Sequence, residues 1–306
     1  MKIVFLGTPD FAVLPLNAVY EKVKDDLIAV VCNKDKPVGR KQVLTAPPTK
    51  VFAEQHGIPV FQYDSIRKEG VEDLKRLAPD LMITCAFGQI LSQEILDIPT
   101  FGVINIHASL LPKYRGASPI QYAILNGETE TGITIMKTDI GIDTGDIILQ
   151  EKIPIESKET GGELFDRLSV LGADCIKKTL DLIYDGKIVY TKQDESNATF
   201  TKMIKKEHAL IDWSKNSKEI VDLIRAYNPF PVAYTFLFGQ PFKIFSAEIS
   251  DLKGNAGEVL SSDGGIVVGT SDGSVVLTKV CIAGGKVMPA TDFLRGNKIP
   301  TGTKLG

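Results

Sequence analysis

Phe101-Gly102-Val103-Ile104-Asn105-Ile106-His107-Ala108-Ser109-Leu110-Leu111-Pro112 is an apolar run that breaks into loop-forming residues. Residues 101–106 are short, rich in β-branched side chains and uncharged, as expected of a strand buried on both faces of a parallel sheet. Alternation along such a strand puts Asn105 and His107 on the same face. An amide beside an imidazole suits acyl or one-carbon transfer, because one group can hold a developing oxyanion while the other moves a proton.

Working outward, similar apolar runs occur at 2–6, 27–32, 59–61, 81–85 and 133–137, with helix patterns between them. Pro48 opens one helix that Gly57 closes. Residues 162–184 read as a long amphipathic helix with Leu164, Phe165, Leu168, Leu171 and Ile176 on one side. The alternation predicts an α/β domain over 1–189 with a doubly wound, mostly parallel, Rossmann-like sheet. Ligands in such sheets bind beyond the carboxyl ends of the strands, where Ala86-Phe87-Gly88 and the Asn105 segment would open together. Residues 190–205 are polar and short of large apolar side chains, and read as a linker. From 206 to 306 the pattern changes to short alternating strands separated by Gly and Asp-Gly turns, which predicts a smaller C-terminal antiparallel β barrel, OB-like in plan.

The bulk numbers agree with an enzyme-sized chain. Its 306 residues are 43% hydrophobic, and the net charge of −3 argues against a surface coated with basic residues, though not against a local basic patch. Four cysteines are scattered without a CxxC pair, so free thiols in a reducing compartment are expected and no metal site is. No signal peptide or membrane-spanning run is visible, which predicts a cytoplasmic protein that does not enter the membrane.

A lone histidine is more often structural than catalytic. His107 gains weight from its position at a strand end, from Asn105, and from a nearby glycine-rich loop, Asp139-Ile140-Gly141-Ile142-Asp143-Thr144-Gly145-Asp146, whose carboxylates could reach it. That loop is not a calcium loop. Its third position is Gly141, its sixth is Thr144 and its twelfth is Gln150. The run Ser109-Leu110-Leu111-Pro112 reads either as a strand exit that buries two leucines or as a ligand wall.

Taken together, Asn105-x-His107, Ser109-Leu110-Leu111-Pro112-x-Tyr114-Arg115-Gly116 and Asp139-x-Gly141-x-Asp143-Thr144-Gly145 resemble the catalytic domain of the 10-formyltetrahydrofolate-dependent formyltransferases. The resemblance implies 10-formyltetrahydrofolate as co-substrate and Asn105, His107 and Asp143 as catalytic residues. It also implies a folate pocket drawn from Phe87, Gly88, Leu91, Ser109, Leu110, Leu111, Pro112 and the loop that starts at Asp139. Main-chain groups of the 109–112 run would bond the pterin edge and its leucines would pack on the ring faces.

Within that family the acceptor varies. The opening Phe5-Leu6-Gly7-Thr8-Pro9-Asp10-Phe11-Ala12, the insertion Lys34-Asp35-Lys36-Pro37-Val38-Gly39-Arg40-Lys41, the segment Ile224-Arg225-Ala226-Tyr227-Asn228-Pro229-Phe230-Pro231 and the closing Leu294-Arg295-Gly296 resemble the members that formylate methionine on initiator tRNA. Initiator methionyl-tRNA is then the expected partner, in support of translation initiation, and residues 206–306 the expected tRNA-binding domain. The rival acceptor is a nucleotide-linked amino sugar, for which the basic insertion would not be expected. A charge run is usually a solvated loop. One placed after a strand near the site could order against an RNA acceptor stem, with Lys36, Arg40 and Lys41 from the insertion and Arg225 from the C-terminal region as contacts. Gly7-Thr8-Pro9 is not a dinucleotide fingerprint, since Pro9 interrupts it. A monomer is expected, because no edge or heptad pattern points to self-association.

Overall fold

The apolar runs of the first half become strands in the computed structural model, which describes residues 1–39 and 41–306. They are β1 (Ile3–Gly7), β2 (Leu27–Asn33), β3 (Val60–Tyr63), β4 (Leu81–Cys85) and β5 (Val103–His107), followed by β6 (Glu130–Lys137) and β7 (Ile147–Pro154). Their order across the sheet is β7-β6-β5-β4-β1-β2-β3. The chain runs outward from β1 through β2 and β3, then returns to the other side of β1 for β4 and β5, all in parallel. In open α/β sheets, ligands bind at such a reversal, outside the carboxyl ends of the strands. Every residue of β1 and β4 is buried, as their unbroken apolar sequences require.

β6 departs from the parallel pattern. It lies antiparallel to β5, with Asn105 opposite Met136 and His107 opposite Thr134. β7 extends the edge and was not apparent in the sequence, because its Ile-Ile-Leu-Gln-Glu-Lys-Ile-Pro is half-exposed and carries charges. The long helix Gly161–Tyr184 follows, one residue earlier than expected. Gly172 lets it pack tightly there: a Cβ at that position would sit 3.3 Å from the Ile106 side chain on β5.

Contacts divide the chain into two units that interleave in sequence. The first comprises Met1–Gly116, Thr131–Ile153 and Phe165–Phe200, and the second Ala117–Glu130, Pro154–Leu164 and Thr201–Gly306. The second contains an antiparallel sheet of β8 (Tyr234–Leu237), β9 (Gln240–Ser250), β10 (Val259–Ser261), β11 (Ile266–Gly269) and β12 (Ser274–Ile282), in the order β8-β9-β12-β11-β10. Irregular register around Ser246 marks bulging in β9. Bulges of this kind bend a strand, and here the sheet curls into a half-barrel. Phe242, Ile244, Val268, Val275 and Leu277 form its core with Ile220 and Ile224 from helix Ser217–Ala226.

Cys32, Cys85 and Cys175 are buried free thiols, and Cys281 is half-buried. No helix of the described residues is long and apolar enough to cross a membrane.

Candidate active site

Strand β5 carries two of the expected residues, and its neighbours fix their orientation. Thr84 on β4 is the register partner of Asn105, and its hydroxyl donates to the Asn105 Oδ1 at 2.9 Å. The amide oxygen is thereby committed to Thr84, which turns Nδ2 toward Asp143 Oδ1 at 3.4 Å. An amide nitrogen has two hydrogens, so the second is available to a ligand oxygen. His107 is only 6% exposed. Its Nε2 lies 3.0 Å from the Tyr114 carbonyl, which can only accept, so this nitrogen carries a proton. Nδ1 is then the nitrogen with a lone pair, and it lies 3.5 Å from Asp143 Oδ2. The same Oδ2 accepts the Gly116 N–H at 2.7 Å.

Asp143 reaches these groups by an unexpected route. Because β6 is antiparallel, its loop leaves from the end of the sheet where β5 begins, and Thr138 N–H bonds the Val103 carbonyl at 2.7 Å. The loop then folds back over the face that presents Asn105. Gly145 makes the turn possible, since a Cβ there would lie 1.7 Å from the Lys137 carbonyl oxygen. Asp139 shapes the loop internally, accepting from Gly141 N–H at 3.0 Å and from the Thr144 hydroxyl at 2.6 Å. Asp143 itself has a φ of 53°, a left-handed conformation rarely adopted by a non-glycine residue and costly unless its surroundings hold it.

The residues expected to hold folate separate into two groups. Phe87 and Leu91 are packed into the core of the first unit, and the Phe87 carbonyl accepts from Thr8 and Asn33. Gly88 is exposed, with a φ of 77°, and leaves polar main chain open at the carboxyl end of β4. In the 109–112 run, much of the main chain is occupied from within. Leu111 N–H donates to Thr134, Gln150 donates to the Leu111 carbonyl, Thr134 donates to the Ser109 carbonyl and Lys113 N–H to that of Leu110. Ser109 and Leu111 are buried, and Leu110 and Pro112 are half-buried. This run therefore offers apolar side chains more readily than a hydrogen-bonding edge.

Of the basic candidates, Lys36 and Lys41 are exposed on a small hairpin whose strands are Lys36–Val38 and Val43–Thr45. Arg40 lies outside the described residues. Arg225 is inward-facing: its guanidinium is 11% exposed, bonds Asp222 at 2.8 Å and donates to the carbonyls of Glu156 and Glu159.

The sequence reading gave no role to Thr84, Arg115, Gln193 or Thr199. Arg115 is 1% exposed, and its guanidinium bonds Gln193 and Glu195. The Glu195 partner raises the Arg115 pKa, and Arg115 in turn holds the Glu195 carboxyl below its ordinary range. Thr199 accepts the Tyr114 N–H through its hydroxyl and the Arg115 N–H through its carbonyl, both at 2.8 Å. A lone hydroxyl at the end of the apolar run Leu-Met-Ile-Thr-Cys was a legible sign for Thr84. Nothing in the polar composition of 190–205 marked Gln193.

A donor amide, an imidazole with one committed nitrogen and a carboxylate thus converge, which suits stabilising a carbonyl oxygen while a proton changes hands. Two family models match most of the chain. Residues 1–180 match the formyl transferase model and 203–298 match the formyl transferase C-terminal domain model. Methionyl-tRNA formyltransferase of Geotalea daltonii is 46% identical over 308 residues, covering 100% of this chain and 98% of the relative. The enzyme of the same name from Bacillus mycoides is 47% identical over 311 residues, covering 100% and 99%. In the fold, the N-formyltransferase of Helicobacter canadensis, solved with folinic acid and dTDP-3-aminofucose, matches at a TM-score of 0.71 and 24% identity, covering 90% of this chain and 98% of that one.

Proposed function

The chain belongs to the formyl transferase family, and from that premise we propose that it transfers the formyl group of 10-formyltetrahydrofolate to the α-amino group of methionine on initiator tRNA. The observation that carries the reading is the convergence of Asn105, His107 and Asp143 in a chain whose relatives named for this activity match it from end to end.

The folate fits the donor set present. A formyl oxygen needs a fixed hydrogen-bond donor and a pterin needs apolar walls beside polar main chain, which Asn105, Leu110 and the Gly88 backbone can supply. 10-Formyltetrahydrofolate supplies the carbon that is transferred. Asn105, oriented by Thr84, donates to the formyl oxygen as negative charge develops there. His107 takes a proton at Nδ1, the nitrogen left open by its bond to Tyr114, as the methionine amine forms its new bond to carbon. Asp143 stabilises the resulting imidazolium, and the proton is returned to the folate nitrogen as it leaves. Lys36, Arg40 and Lys41 would meet the phosphates of the acceptor stem, and residues 206–306 would add further contacts to tRNA. Such a reaction belongs to the cytoplasm and requires only one copy of the chain.

The test offers 10-formyltetrahydrofolate with charged initiator methionyl-tRNA, with a nucleotide-linked amino sugar, or with water alone. Formylmethionyl-tRNA is the expected product. Formylation of the sugar alone, or release of formate without an acceptor, would overturn the assignment.

A further inference from the structure

We propose that Gln193 is a positioning residue for Asp143, acting with Arg115 in a closed ring of hydrogen bonds; this rests on the reading of Asp143 as part of the formyl-transfer site. The ring starts at Arg115, whose guanidinium donates to Gln193 Oε1 from Nε at 3.1 Å and from Nη2 at 2.8 Å. With its oxygen so committed, the Gln193 amide must present Nε2 on the other side. Nε2 donates to the carbonyl of Asp143 at 2.8 Å and to that of Gly145 at 2.7 Å. The Asp143 side chain then accepts the N–H of Gly116 at 2.7 Å, and Gly116 is the residue after Arg115. Main chain and carboxylate of Asp143 are therefore held by the same short stretch, one directly and one through Gln193.

Two further features give the ring a purpose. Asp143 sits at a φ of 53°, a conformation that needs outside support, and the bond to its own carbonyl is such support. The stretch that closes the ring also orients the histidine, because the Tyr114 carbonyl accepts the hydrogen bond from His107 Nε2–H. Thr199 bonds the N–H groups of both Tyr114 and Arg115. Residues 193–199 thus bear on both proton-handling groups through the main chain. Arg115 further bonds Glu195 at 2.6 and 2.8 Å, which anchors the same segment at a second point.

The discriminating variant is Gln193→Glu. It keeps the size and the acceptor facing Arg115 but replaces the donor with an oxygen that repels both carbonyls. The full-length protein is assayed with 10-formyltetrahydrofolate and initiator methionyl-tRNA, and folate binding is measured separately with folinic acid. We expect kcat to fall about ten- to a hundredfold, as a small misplacement of a reacting group does. The folinic acid Kd and the KM for tRNA should stay within about twofold. The acid limb of the pH–rate profile should move as well, which a loss of stability alone would not cause. Gln193→Met, of similar length with no donor, should show the same split and serves if the glutamate variant fails to fold. Unchanged kcat in both variants, or a change confined to Kd or to the folded fraction, would overturn the proposal. Asp143→Ala is run alongside: if it stayed fully active, the reading of the site itself would fall, whereas an inactive Asp143→Ala beside an active Gln193→Glu would sink the positioning role alone.

Discussion

At the scale of single residues, the site depends on which way an amide faces. Asn105 can serve a developing oxyanion only while its oxygen is turned elsewhere, and the Thr84 hydroxyl does this at 2.9 Å. Replacing Asn105 by Ala should lower kcat about a hundred- to a thousandfold, the usual effect of losing one oxyanion donor, with thermal unfolding little changed. Thr84→Val keeps the shape but frees the amide to flip. It should cost about tenfold in kcat while Kd for folinic acid holds, since the donor is only part of the time misplaced. Steady-state kinetics with binding titrations check both, and a Thr84→Val enzyme with unaltered kcat would remove the orienting role. Asn105 and His107 were legible in the sequence because strand alternation has a fixed period. Thr84 was not singled out, because the register that sets it beside Asn105 belongs to the folded sheet.

At the scale of elements, composition identified the parallel strands well and misjudged whatever depended on direction or pairing. An apolar run looks alike read either way, so nothing in 133–137 announced that β6 is antiparallel or that its loop must double back to deliver Asp143. Polar residues likewise look alike whether they meet water or one another. The 190–205 stretch read as a linker from its polarity; within it Gln193 bonds the Asp143 carbonyl, Glu195 bonds Arg115 and Thr199 bonds the Tyr114 N–H. One consequence is measurable through pH. The hydrogen bond from Arg115 lowers the Glu195 pKa, so this pair stabilises the folded chain above the ordinary glutamate range and loses that contribution as pH falls through the lowered folded value. The melting temperature should therefore differ between the parent and Glu195→Gln at neutral pH and converge in acid. A gap that widened on acidification would contradict the sign. Arg225 belongs at this scale too. With its guanidinium bonded to Asp222 and two carbonyls, Arg225→Ala should cost about 1–3 kcal/mol of stability, read by denaturant unfolding. A loss of tRNA use at unchanged stability would instead make it a direct contact.

At the scale of the whole molecule, the question is what tells tRNA from smaller acceptors. The hairpin after β2 exposes Lys36 and Lys41 together with Val38, Val43 and Leu44, which are 56%, 59% and 67% exposed. Exposed cationic side chains on such a hairpin suit the phosphates of a nucleic acid. The double variant Lys36→Ala, Lys41→Ala should raise the KM for initiator methionyl-tRNA several-fold and flatten its salt dependence, because each lost phosphate contact lowers the slope. Folinic acid binding should not move; if both fell together, the hairpin would be part of the folate site.

The first family model ends at residue 180, but the supports of Asp143 and Tyr114 come from 193 and 199. An excised fragment that stopped at 180 or 189 would keep Asn105, His107 and Asp143 and lose the bonds that Gln193 and Thr199 make to the Asp143 carbonyl and the Tyr114 N–H. Truncation boundaries for this enzyme should therefore be drawn beyond Phe200, and homologues dissected at the earlier point should turn over slowly while still retaining their folate.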